Sequence, residues 1–379
     1  LLRQHFNNAV IYQHINRRTM PNKVLFILKR REDYNAVEHS PLGLSTGLFN
    51  SATFVKNMLV NAGIDAELEV AIDNNDIDRL VTQHRPTHVI IEALWVVPSK
   101  FAVLIPLHPS VQWIVRLHSE MPFMAGEGMA MDWLGEYIKF PEISLAVNAP
   151  RMLDEVRTYL ATTTDHTETE TESRIFYLPN YYPQTYVNKD LDEHNRYRGY
   201  KYWIDVACFG AVRPLKNHMV QAVAAIKYAN QHGKQLRFHI NAGRIEMKGD
   251  PVLNNLRGMF EHLSGHGHQL IAHSWAVRED FLELCSEMDI GLQTNFSETF
   301  NIVSADLISQ GVPIVTSREI PWSNFIFNAR PTESEEIYHA MTRALVFPKA
   351  NVWLHQHNLT RYTNRTEQIW AKYFKEPTK

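Results

Sequence analysis

Short apolar runs of strand length alternate with stretches of helical length along most of this chain. The pattern opens with KVLFILK at residues 23–29, behind Pro21. A loop follows at 40–50, SPLGLSTGLFN, and then residues 51–62 predict a helix closed by Gly63. Residues 67–71 predict a second strand, 77–84 a helix, and 87–92 and 112–117 two more strands. The last strands of this half fall at 145–147 and 175–178. Strands spaced by helical segments in this way imply a parallel, doubly wound sheet. Between those last two strands lies ATTTDHTETETES, residues 161–173, which is too polar to bury a core and predicts a mobile surface loop.

Residues 182–201 are rich in Tyr, Asp and Arg, lack periodicity, and read as a connection between two units. The alternation then resumes. Strands are predicted at 204–209, 236–242, 269–272 and 289–293, with helices at 217–231, 251–263 and 277–287 between them. Helices at 335–345 and 354–373 close the chain. The order of elements therefore gives two Rossmann-like α/β units, which suits the length prior for 379 residues.

Composition narrows the function classes. An apolar content of 45% is enough for two cores, and a net charge of −3 argues against strong nonspecific binding to polyanions. Cys208 and Cys285 are the only cysteines, so a disulfide framework is not expected and a reducing compartment fits. The first residues lack the apolar core of a signal peptide, and no run approaches the ~18 to 20 apolar residues of a membrane span. Cytoplasmic localisation is the expectation.

The densest chemistry lies in SETFNIVSADLISQGVPIV, residues 297–315. Glu298 follows the apolar run 290–292, in the loop beyond a buried strand. Residues 300–309 then predict a short helix, whose first-turn amides and dipole make a site for a diphosphate. Asp306 lies two turns further on, eight positions after Glu298, near enough to accept hydrogen bonds from a ribose. Gly311 ends the helix and residues 313–316 begin the next strand. A second candidate is GAVRPLKN, residues 210–217, between a predicted strand and a helix. Its Arg213 offers a planar fork and its Lys216 a point charge, a pair able to neutralise a leaving diphosphate. Taken alone, it reads as a basic loop ahead of a helix.

Together these segments resemble the donor site of the GT-B fold glycosyltransferases, specifically the large retaining family whose pattern is Glu, seven residues, Glu, and a helix ending in Gly-Val-Pro. Glu298 matches the first acid, which in that family contacts sugar hydroxyls, and Asp306 the second, which contacts the ribose. Two departures stand out: Asp replaces Glu at 306, and Thr299-Phe300-Asn301 replaces the family's Gly-Phe-Gly. Asn tolerates a left-handed backbone, which would keep the turn. The resemblance further implies that Gly210, Arg213 and Lys216 grip the donor phosphates, and that Gly43 and Ser45 belong to a glycine-rich loop beside the transferred sugar. It also implies that His118, at the end of WIVRLHSE, points at that sugar, with Glu120 as a lesser candidate for orienting the acceptor.

The implied catalytic set is thus His118, Arg213, Lys216 and Glu298. The implied donor site adds Gly43, Ser45, Gly210, Thr299, Phe300, Asn301, Ile302, Val303 and Asp306. Implied domain limits are 1–182 on the acceptor side, 183–203 for the connection, 204–350 on the donor side, and 351–379 for a helix packing back on the first domain. The implied activity is transfer from a nucleoside diphosphate sugar to a hydroxyl, with retention and without metal or cofactor. The acceptor stays open among glycan, lipid-linked sugar, small molecule, protein and modified nucleic-acid base, as does the oligomeric state. Alternatives are a nucleotide-sugar epimerase or hydrolase on the same fold, or a degenerate binding protein. Other features carry less: DNNDID at 73–78 lacks the Gly and distal Glu of a calcium loop. His266, His268 and His273 have no partner at a metal-binding interval and read as surface histidines.

Overall fold

The strands fall into two parallel sheets among the residues described by this computed structural model, which are 22–30, 46–163, 168–187 and 201–375. The first sheet holds β1 (Lys23–Lys29), β2 (Asp65–Ala71), β3 (His88–Glu92), β4 (Gln112–Leu117), β5 (Ile143–Val147) and β6 (Ile175–Tyr177), in the order β2-β1-β3-β4-β5-β6. The second holds β7 (Trp203–Val212), β8 (Gln235–Ile245), β9 (Gln269–His273), β10 (Ile290–Gln293) and β11 (Ile314–Thr316), in the order β11-β10-β7-β8-β9. Helices α1 (Thr46–Asn61), α2 (Asp76–His84), α3 (Pro98–Leu107), α4 (Met121–Met124), α5 (Ala130–Tyr137), α6 (Pro150–Thr163) and α7 (Glu168–Arg174) belong to the first half. To the second belong α8 (His218–Gln231), α9 (Gly249–His262), α10 (Arg278–Ser286), α11 (Ile302–Ser309) and α12 (Ser334–Val346), and α13 (Pro348–Lys375) ends the chain.

The inner strands β1, β3, β4, β5, β7 and β10 are buried on both faces and run largely apolar, whereas the edge strands β2 and β9 and the far half of β8 interleave polar residues. Along β1, Leu25 and Ile27 join one core with Phe101 and Trp113, while Val24 and Phe26 join the other with Val55 and Leu59 of α1. The chain reverses direction across each sheet at one place, between β1 and β3 in the first and between β7 and β10 in the second. In such sheets the crevice beyond the carboxyl ends of the strands at the reversal is where ligands bind. The segments after β7 and β10 are those that carry Arg213, Lys216 and Glu298.

Helix α13 spans both cores. Near its start Asn351 accepts from the Ile314 amide at 2.9 Å and donates to the Ile314 carbonyl at 2.8 Å, completing the hydrogen bonds of β11. Near its end Trp370 is fully buried against Phe26, and its indole donates to the Pro179 carbonyl at 2.9 Å. The 28 residues, about 42 Å at helical rise, thus tie the two units together.

Several expectations need correction. Residues 161–173 do not form one loop: α6 runs to Thr163 and α7 covers Glu168–Arg174. Arg157 anchors the end of α7 by donating to the Glu172 and Ile175 carbonyls at 3.2 and 2.7 Å, so tertiary contacts override a weak local signal. The α3, α4, α5 and α6 helices lay unassigned between strands, and α13 starts six residues before the predicted 354. His268 is no surface residue. It is buried, accepting from the Leu236 amide at 2.9 Å and reaching Asn230 Oδ1 at 2.9 Å. His273 stacks on His239, which lies 3.1 Å from Asp205. Among the described residues no group of three or more candidate ligands could hold a metal, and no helix is long and apolar enough to cross a membrane.

Burial holds three imidazoles neutral, pushing His88 to about 4, His218 to about 3 and His355 to about 4. In the unfolded chain each would titrate near 6.5. As pH falls below that value the unfolded state takes up protons that the folded state refuses, so stability is lost on acidification. Urea unfolding at pH 7.5 and 5.5 should show a lower stability at 5.5, by roughly 1 kcal/mol per buried histidine. His355→Gln should lessen this dependence by one histidine's share.

Candidate active site between the domains

A cavity of about 500 Å³ lies between the two sheets, lined from the first by Ser51, Ala93, His118 and Phe123 and from the second by the segments after β7, β8 and β10. Gly210, Arg213, Lys216, Glu298, Thr299, Phe300, Asn301, Ile302, Val303, Asp306 and His118 all border it. Gly43 and Ser45 lie outside the described residues.

Gly210 is not in a loop after the strand but within β7, where the pairing with β8 is shifted. Its φ of +112° is open to glycine and strained for other residues. The turned backbone donates from Gly210 N to Asn241 Oδ1 at 2.9 Å and leaves Lys216 to cross beneath it. Lys216 ends a short 3-10 turn and ion-pairs with Glu298, which also accepts from Asn295 Nδ2 at 3.0 Å. Burial lowers the pKa of the Lys216 ammonium, and Glu298 offsets this only in part. Arg213 pairs with Glu246 at 3.0 Å and lays its guanidinium over the Phe123 ring, 4.5 Å from its centre.

Helix α11 begins at Ile302, two residues later than the sequence pattern suggests, because Asn301 is its cap rather than part of its first turn. Asn301 has φ +60°, and its side chain accepts from Ser304 N at 2.8 Å while donating to Gln293 Oε1 at 2.9 Å. One residue therefore makes the left-handed turn and caps the helix. Ile302 and Val303 border the cavity, while the Phe300 ring is buried against Tyr182 and its carbonyl accepts from Trp322 Nε1 at 2.8 Å.

Asp306 is buried, and its Oδ1 accepts from Arg278 Nη1 at 2.8 Å and the Tyr182 hydroxyl at 2.9 Å. Burial raises the Asp306 pKa, with Arg278 and Tyr182 opposing it. Across the cleft, His118 Nε2 donates to Glu92, and Asn148 Nδ2 reaches His118 Nδ1 at 3.4 Å. A carboxylate can only accept, so this fixes the proton on Nε2. Burial would raise the Glu92 carboxyl, but Arg116 and His118 outweigh it and hold it below the usual range. The imidazole is depressed by its own burial and by Arg116, against the pull of Glu92. Glu120 faces the second domain, accepting from Ser297 Oγ at 3.1 Å and Arg151 at 2.6 Å.

Arg244, Glu246 and Arg278 line the cavity without having stood out in the sequence. Arg244 and Glu246 could have been suspected as charges just beyond the predicted strand 236–242, at the carboxyl end of the sheet. Arg278 had no signal, since it meets Asp306 only through packing of α10 on α11.

The two facing units, the reversal points and the intervening cavity define the GT-B fold. The solved structures that this chain resembles have it. With Anabaena HepE in complex with UDP and glucose it shares 12% identity at a TM-score of 0.63, over 94% of this chain and 100% of that one. With the α,α-trehalose-phosphate synthase (UDP-forming) from Burkholderia vietnamiensis the values are 12% and 0.60, over 94% and 96%. The N-terminal domain of Candida albicans trehalose-6-phosphate phosphatase gives 10% and 0.67, over 94% and 97%. No family model matches the chain, and no curated protein sequence does.

The turn at Asn301 is directly testable. Asn301→Ala removes the cap and puts in the left-handed region a residue that lacks the tolerance Asn has for it, and should destabilise by roughly 2–3 kcal/mol in urea unfolding. Asn301→Gly, which keeps the backbone geometry, should cost less.

Proposed function

We propose that the chain is a glycosyltransferase moving a sugar from a nucleoside diphosphate donor to a hydroxyl acceptor, with retention and without a metal ion. The observation that carries this is the convergence of Arg213, Lys216 and the start of α11 at the reversal between β7 and β10. UDP is the donor nucleotide favoured by the likeness to HepE, which binds it.

Arg213, Lys216 and the α11 amides would take the diphosphate, preorganised donors aimed where charge develops as the bond from the anomeric carbon to the phosphate oxygen breaks. Glu298, held by Lys216 and Asn295, would present its carboxylate to sugar hydroxyls, and Asp306 would face the ribose. The acceptor oxygen would bond to the anomeric carbon on the face the diphosphate leaves, its proton passing to the departing phosphate. His118 would contact the sugar through its edge on the cavity.

The epimerase or hydrolase reading needs a free acid and base. His118 has Nε2 on Glu92 and Nδ1 facing Asn148, and Glu120 is held by Ser297 and Arg151, so neither is poised for that task. Both cysteines are unpaired and buried, which suits a reducing compartment such as the cytoplasm.

Calorimetry with UDP tests the donor site. Arg213→Ala with Lys216→Ala should weaken binding more than tenfold, since charge-assisted bonds contribute on the order of 1.5–3 kcal/mol each. Undiminished binding in that variant would remove the phosphate site. Sugar release from UDP-glucose, assayed with candidate acceptors, should persist in chelator, and activity that disappears there and returns with magnesium or manganese would reject the metal-free account.

A further inference from the structure

Glu246 stands where a carboxylate is least expected in an anion site. It follows β8, lines the cavity, and is bound by two guanidinium groups, Arg213 at 3.0 Å and Arg244. Each arginine is also held by a ring, Arg213 over Phe123 and Arg244 over Trp275, 5.2 Å from its centre. Arg213 retains a buried Nε with no hydrogen-bond partner. A fixed pair of forks with a spare donor matches a phosphate, which offers more acceptor oxygens and more charge than one carboxylate.

We propose that Arg213 and Arg244 form one subsite for the terminal phosphate of the donor, and that Glu246 is its resident stand-in, displaced when a nucleoside diphosphate binds. This rests on the donor reading above and adds to it a second arginine and a built-in competitor. The Glu246 amide donates to the Val212 carbonyl at 3.0 Å, so the main chain is anchored and the exchange is a side-chain rotation. The two following residues, Met247 and Lys248, hold φ of +43° and +65°, a strained turn that keeps position 246 at the mouth of the site. Met247 in turn covers Gly126 of the first domain, where a Cβ would collide with its Cε, so the turn carrying Glu246 reaches across the cleft. No bond is made or broken in the exchange. Because the site is occupied by Glu246 at rest, apparent donor affinity is the intrinsic affinity multiplied by the fraction of molecules in which the carboxylate has swung out of the site.

Glu246→Gln is nearly isosteric and keeps the amide bond to Val212. By calorimetry it should bind UDP about five- to tenfold more tightly than the parent, with uridine unchanged. Arg244→Met should weaken UDP about tenfold and leave uridine alone. The gain from Glu246→Gln should collapse when Arg213 and Arg244 are both replaced by Ala, since the two guanidinium groups of the subsite are then gone, whereas a general field effect of removing a negative charge would persist. Equal or weaker UDP binding by Glu246→Gln, a gain shared by uridine, a gain that survives loss of both arginines, or an Arg244→Met variant with parental affinity overturns the proposal while leaving the donor site standing. A parent that binds no UDP overturns the donor reading and this subsite with it.

Discussion

The fully buried guanidinium of Arg116 is the constraint on which the first domain and its joining to the second depend. A charge removed from water is tolerable only when every donor finds an acceptor. Here Glu92 takes two bonds at 3.0 and 3.1 Å, Asn180 Oδ1 one at 2.6 Å and the Leu178 carbonyl one at 3.1 Å, while the Trp370 ring covers the plane at 5.2 Å. Those partners come from β3, from the segment after β6 and from the C-terminal helix. The same Glu92 orients His118. One buried cation therefore sets the end of β4, docks α13 and fixes a side chain of the cleft, and losing one partner of such a pair costs about 3–5 kcal/mol.

The second domain treats charge differently. Its cavity cations are matched by carboxylates of the same domain: Lys216 by Glu298, Arg213 and Arg244 by Glu246, Arg278 by Asp306. Such pairing lets several charges share a confined space. It also links the halves, since Arg278 lies over Phe54 of α1, Arg213 over Phe123 and Thr299 against Asn148. In each of these contacts the residue from the second domain also borders the cavity.

What the chain alone determined was the α/β class, the position of nearly every strand, and the two segments that end beside the cavity. Buried parallel strands are continuous apolar runs, readable without neighbours, and the loop, acid and helix after β10 form a local pattern with local physics. Asn301 could be expected to accept a left-handed turn because that is a property of the residue. Shorter helices between strands, such as α3 with its two prolines or the Thr- and Glu-rich α7, were hidden because their stability comes from packing and from distant arginine contacts.

Tertiary structure alone decided who partners whom. Sequence places Arg213 and Lys216 on one turn and predicts a phosphate grip, but Glu246 is 33 residues from Arg213, and Arg278 is 28 from Asp306. Those separations carry no period and no motif. The strand order that brings β10 back beside β7 is set by the parallel crossovers of the whole sheet, so the counter-ions, the engaged ring nitrogens of His118 and the reach of α13 across both cores exist only once the sheets are assembled. Local pattern specified the elements because backbone and burial preferences act over a few residues. The electrostatic pairing of the cleft required the fold, because it acts through space between segments the chain keeps far apart.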